Sequence, residues 1–341
     1  MKNIWKVAII LIAAGLLISS IGLALGASRW IYWDKHGSHI VEKSVEKRIT
    51  RLDLEQIGNI DINAKFSDVE FVTSDKFGID IRYYDEEVTW SLDDGSLKIR
   101  FSVQAGNRNY SNRFFDVNLS FAYPQNYVKV YLPADARLGT VSVQTDSGDI
   151  KIGDFSAVEV QLNNSFGNLD ISSITCDKLH IKMDSGEFSG KDLLSGDIVH
   201  KNNFGSSRFV AIDAKNLAID SDSGDVTLNG CRVESIDIKN SFGSITANNL
   251  VSFKTDVDAN SAEIIISGEF SGRTKINNSF GNTRFTTAKA KEDYSYEIYT
   301  DFGDVTFDNN RLKGGIQGGN STANSLYITN SSGDIQVYFA G

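Results

Sequence analysis

Proline is almost missing from this 341-residue chain, with only Pro124 and Pro133, so proline-rich spacers and polyproline recognition segments are excluded. Two cysteines, Cys176 and Cys231, are too few to staple a small disulfide scaffold. The four histidines, His36, His39, His180 and His200, have no zinc-ligand spacing with either cysteine. Cations are also short: 34 Lys and Arg stand against 44 Asp and Glu, for a net charge of −10. Such a surface repels nucleic acid, so no nucleic-acid partner is expected. No phosphate loop, dinucleotide fingerprint or serine-hydrolase elbow occurs.

What the chain has in abundance is one short turn pattern at a fixed interval. Its centre falls at Gly148, Gly167, Gly186, Gly205, Gly224, Gly243, Ala262 and Gly281, each step being 19 residues, and two looser copies follow at Gly303 and Gly333. A constant period of this size marks a solenoid, in which each coil buries its apolar edge against its neighbours.

Stacking the sequence at 19 residues gives five inward columns, starting at Ile150, Ile152, Phe155, Val160 and Leu162. Of their 38 positions between Ile150 and Ala288, 31 are apolar, about twice what the overall composition would place there. His200 and Cys231 fall in these columns and read as core residues. The column from Glu159 to Arg273 is polar throughout and faces water. The sequence therefore predicts an all-β fold, a parallel β-solenoid of 19-residue coils. Regular repeats run over about 145–288, with irregular coils over 289–341. Before them, from Leu52, short alternating segments such as Ile60–Ile62, Val69–Phe71 and Val128–Leu132 predict a less regular β portion, either sandwich-like or made of coils of the same body.

A second regularity has period 38. Phe166, Phe204, Phe242 and Phe280 alternate with Ser147, Ser185, Ser223 and Ser261. A 19-residue coil is favoured because alternation keeps like charges from stacking at adjacent coils, with a 38-residue coil as the competing reading. The four phenylalanines either plug the solenoid corner or form an interaction strip.

At the N-terminus, residues 7–27 contain no charge, enough for a transmembrane helix, and Trp5, Trp30, Tyr32 and Trp33 flank them as an aromatic belt. The expected order is a short tail (1–6), a signal-anchor helix (7–27), a juxtamembrane linker with a short helical part (28–50) and a β-repeat domain (51–341). A cleaved signal peptide is the alternative reading of 7–27. The domain is expected to lie outside the cytoplasmic membrane.

The turns Asp146-Ser-Gly148-Asp-Ile150 and Ser165-Phe-Gly167, the entry Val128-Lys-Val130-Tyr-Leu132-Pro133 and the late copy Asn330-Ser-Ser-Gly333-Asp-Ile335 resemble the LiaG-like, adhesin-type domain family of bacterial membrane and cell-surface proteins. That resemblance implies an all-β repeat domain at the envelope, without an assigned biochemical function and without catalytic residues.

Asp146, Asp149, Asp184, Glu187, Asp222 and Asp225 are the carboxylates a polysaccharide-cleaving enzyme could use. Because each coil offers nearly the same turn, they read as turn formers instead. The stretch Asp256–Glu263 begins like a calcium loop but has Ser261 where glycine is needed. No catalytic residue, metal, cofactor or small-molecule substrate is expected. The expected partner is an envelope protein or wall polymer, met by a non-catalytic surface. A cytoplasmic-facing scaffold for a membrane regulator is the alternative.

Overall fold

The computed structural model describes residues 12, 15, 30–34, 37–40, 45–84, 86–103, 115–118 and 125–340. The fold is all-β, and the coil is 19 residues long. Each regular coil is a 17-residue strand path, such as Ile150–Phe166, Leu169–Ser185 and Phe188–Phe204, closed by a two-residue turn. Neighbouring coils pair in parallel with partners 19 residues apart, for example Ile150 with Leu169 and Leu162 with Ile181. The five columns face inward because strand alternation alone buries one residue in two, and the stacked coils cover what each leaves open. Ile150, Ile171, Ile212, Leu217 and Ile238 are all buried.

Each coil turns at three places. One is the glycine turn. A second lies at Asp154, Ser173, Asp192, Ala211, Gly230 and Asn249, all with φ between 52° and 62°. Only one of these six is glycine; Asp and Asn tolerate the left-handed region better than most residues, so the corner leaves no glycine ladder in the sequence. The third interrupts the pairing at Val158 and Asp177, between Ala157↔Cys176 and Glu159↔Lys178.

Two inward assignments are corrected. Glu269 and Ala288 are exposed, because an irregularity beside Asn249 shifts the register so that Leu250 meets Gly268 rather than Glu269. Phe270 and Thr287 are buried instead, and the charge stays in water.

The less regular N-terminal portion contributes coils to the same stack. Asn59–Lys65 and Ser67–Thr73 form the coil before the regular ones, pairing with Arg137–Ser147 and with Ile150–Lys151. The chain then departs, and Gly148 stacks on Ser67 after 81 residues rather than 19. The C-terminal coils are out of sequence order. Asn324–Ser332 inserts between Ile264–Phe280 and Tyr294–Phe307, pairing in parallel with both. Asn310–Gly318 folds back antiparallel on Tyr294–Phe307. The glycines therefore run Gly281, Gly333, Gly303 in space.

All of these coils belong to one compact unit, built from described residues within Arg48–Arg82, Val88–Ser102 and Asn126–Gly341. A second unit contains an antiparallel sheet in which Trp30–Asp34 lies between Gly37–Ile40 and Phe115–Asn118. Within residues 28–50 the described segments are thus strands, Lys47–Arg51 included, and not the expected short helix. The predicted membrane segment 7–27 lies outside the described residues apart from Ile12 and Gly15. No helix among the described residues is long and apolar enough to cross a membrane.

Candidate functional site

The glycine turn forms one edge of the stack. At Gly148, Gly167, Gly186, Gly205, Gly224, Gly243, Gly281 and Gly333 φ lies between 113° and 154°, a region L-residues avoid. A Cβ on Gly186 would also sit 2.0 Å from the Gly167 carbonyl oxygen. Gly303, at the last stacked turn, has no positive φ, yet a Cβ there would lie 2.2 Å from the Gly333 carbonyl oxygen.

Inside this edge lies a buried asparagine ladder that the five-column reading missed. Asn164, Asn202, Asn240 and Asn278 recur at 38 residues, and Asn330 adds a fifth. Each donates from Nδ2 to a turn carbonyl: Asn164 to Gly148 at 3.0 Å, Asn240 to Gly224 at 3.3 Å, Asn278 to Ala262 at 2.8 Å and Asn330 to Gly281 at 3.0 Å. Asn202 reaches the Gly205 carbonyl at 2.9 Å. These bonds satisfy turn carbonyls that would otherwise be stranded indoors. The sequence signal was present as Asn two residues before each of the four phenylalanines.

On the outside, side-chain oxygens of one turn accept the backbone N–H of the next. Asp149 Oδ1 accepts from Asn168 N at 2.8 Å, Asn168 Oδ1 from Glu187 N at 3.1 Å, and Asp225 Oδ1 from Ser244 N at 2.8 Å. The Ser244 N–H and hydroxyl hold the Asp225 carboxyl below its usual range. A pair of carboxylates with divergent acidity, as glycoside hydrolysis needs, is not what these turns assemble. Among the described residues no group of three or more His, Cys, Asp or Glu could hold a metal ion.

Phe166, Phe204, Phe242 and Phe280 do not plug the corner. They stand on the outer side of the turns, 60–63% exposed. Register extends the row beyond the four: Phe280 pairs with Ser332, which pairs with Phe302. At the other end Phe66 precedes Ser67, the residue on which Gly148 stacks, just as Ser147 precedes Gly148. Phe302 is 78% and Phe66 54% exposed. The row therefore holds six phenyl rings, one on every second coil, with Ser147, Ser185, Ser223, Ser261 and Ser332 between them. Strand spacing sets the rings ~9.6 Å apart over a ridge ~48 Å long. Sequence spacing hid the two end members because the chain enters and leaves the stack by detours.

Elsewhere the polar surface is shallow. One depression is lined by Lys215, Arg232, Glu234 and Phe253, another by Glu159, His180 and Lys182. Cys176 and Cys231 are buried free thiols, each made less acidic by burial.

The sequence profile of the Toastrack DUF4097 family matches residues 57–193 and 175–338, which together cover the whole stack. The chain belongs to the Toastrack DUF4097 family. The resemblance read from the SGDI and SFG turns is thereby confirmed at the level of an adhesin-like domain of unknown function. Solved structures similar to this Toastrack chain include a candidate adhesin from Bacteroides fragilis NCTC 9343, at 13% identity over 87% of this chain and 98% of that one, with a TM-score of 0.36. A candidate lipid-binding protein from Parabacteroides distasonis ATCC 8503 matches at 13% identity over 86% and 96%, with a TM-score of 0.38. A candidate adhesin from the same organism matches at 12% identity over 86% and 97%, also with a TM-score of 0.38. Comparison with the curated proteins gives no match.

Proposed function

We propose that this Toastrack chain is a non-catalytic binding scaffold of the cell envelope, anchored through residues 7–27, with the body formed by 51–341 turned outward. Its phenylalanine corner holds an envelope partner by repeated shallow contacts. The observation that carries this reading is the row of six exposed phenyl rings. Large apolar side chains aligned on a soluble surface are costly to leave in water unless a partner covers them. Modest affinity per ring then sums along the ridge through multivalency.

The test uses a photo-reactive residue in place of Phe204 or Phe242 in the full chain in intact cells, beside the same residue in place of exposed Lys178 on the polar face. Crosslinks specific to the corner, together with cleavage of the body by protease added outside the cells, are the expected result. Cleavage only after lysis overturns the outward placement. Equal crosslinking from Lys178 overturns the corner as the binding surface.

A further inference from the structure

We propose that the phenylalanine corner binds an uncharged, β-linked polysaccharide strand laid along the stack, one phenyl ring per disaccharide. This rests on reading the corner as a binding surface and specifies what it binds.

The spacing comes first. Rings on alternate coils are ~9.6 Å apart, a distance comparable to a disaccharide, and in a β-1,4-linked hexopyranose chain successive sugars are flipped. The same apolar C–H face therefore returns every second sugar, as the rings return every second coil. An extended peptide repeats a face about every 6.8 Å and would fall out of step after one ring. A polyproline II segment repeats at about 9.3 Å and would keep step, so spacing alone does not decide between it and a glycan.

Hydrogen-bonding character decides. The groups beside the rings are rich in acceptors: Asp149, Glu187, Asp225 and Glu263 stand exposed on the coils between the phenylalanines, with Asn168 and Asn282 on the phenylalanine coils. A polyproline backbone offers carbonyl acceptors and almost no donors, and would place acceptor against acceptor. A glycan offers a hydroxyl donor at nearly every carbon. The same carboxylates repel a polyanion, which excludes uronic-acid and phosphate-bearing polymers. Aromatic stacking faces flanked by carboxylate and amide groups are what a neutral sugar requires, a π-face for its C–H side and acceptors for its rim.

Calorimetry on the full chain in detergent tests this with cello- and chito-oligosaccharides of two, four, six and eight sugars. Polygalacturonate and a proline decamer are measured beside them. The expected result is binding by at least one neutral series, with affinity rising about threefold to tenfold for each added disaccharide as another ring is reached. Phe204→Ala/Phe242→Ala, whose side chains are mostly in water and so leave the stack folded, should weaken hexasaccharide binding at least tenfold. Phe204→Trp, with a larger face, should tighten it. No binding by either neutral series overturns the proposal, as does binding indifferent to the alanine pair, or tighter binding of polygalacturonate or the proline decamer. If the corner crosslinks an envelope protein in cells while the glycans fail, the binding surface stands and the glycan assignment falls.

Discussion

Acid should destabilise this solenoid through a single core residue, His200. Its column otherwise holds Leu162, Ile181, Ile219, Ile238, Val257 and Ile276, and His200 is fully buried between Phe188 and Phe209, with ring centroids 4.4 Å and 5.4 Å away. Nε2 shares a 2.8 Å hydrogen bond with Ser207 Oγ, and Nδ1 has no hydrogen-bond partner. Burial without a charged neighbour pushes its pKa from 6.5 down to about 3. The folded state thus stays neutral where the unfolded chain takes up a proton. The stability is complete above pH 6.5 and is lost as pH falls from 6.5 toward 3. At pH 4.5, two units below the unfolded value, the loss is about 3 kcal/mol at 1.36 kcal/mol per unit. The control is His200→Ile/Ser207→Val, which installs the residues that follow one coil on, Ile219 and Val226. Urea unfolding at pH 7 and pH 4.5 should show the wild type losing about 3 kcal/mol more than the double variant. Equal losses in the two proteins would refute the reasoning.

Two further outcomes follow from the turns and from the start of the stack. Gly186→Ala combines a φ of 133° with a Cβ 2.0 Å from a backbone oxygen, and should cost about 3 kcal/mol. Gly314→Ala, with φ at 83° but open space around it, should cost about 1 kcal/mol; matching losses in thermal melts would show that stacking contact is not what fixes the glycine. Arg48→Met removes the guanidinium that bonds the buried Asp80 carboxylate at 2.8 and 2.7 Å, leaving Thr50 and Tyr127 as its partners, and should cost about 2 kcal/mol at pH 7. The Arg48 hydrogen bonds hold the Asp80 pKa below 3.8, so its stabilisation is present above that value and is lost as pH falls through the lower folded pKa. The difference between wild type and variant should accordingly close in strong acid, below the window of His200. A gap that persists at pH 2 would assign the loss to packing by the arginine stem.

Much of this was legible because a solenoid writes its fold as a period. Residues one coil apart occupy the same place, so apolar columns, the polar face and the glycine turn can all be read by alignment of the chain with itself. The Asn164 to Asn278 ladder was equally periodic, but polar residues in an inward column look like surface until the turn carbonyls they bond are in view. The corner at Asp154 was masked by residues that tolerate φ above zero. Glu269 and Ala288 were misplaced because one local irregularity moves every later residue of that coil by a position, which a rigid period cannot detect.

The sequence by itself determined the all-β class, the 19-residue coil, its core columns and its family, since each follows from local alternation repeated in register. Only the tertiary structure decided the order of coils at the two ends, where 81 residues separate neighbours in space and where Asn324–Ser332 slips in ahead of Tyr294–Phe307. Backbone pairing is indifferent to how far apart along the chain its partners lie. That is why Phe66 and Phe302 join a row in which sequence spacing gives them no place, and why four rings become a continuous ridge of six.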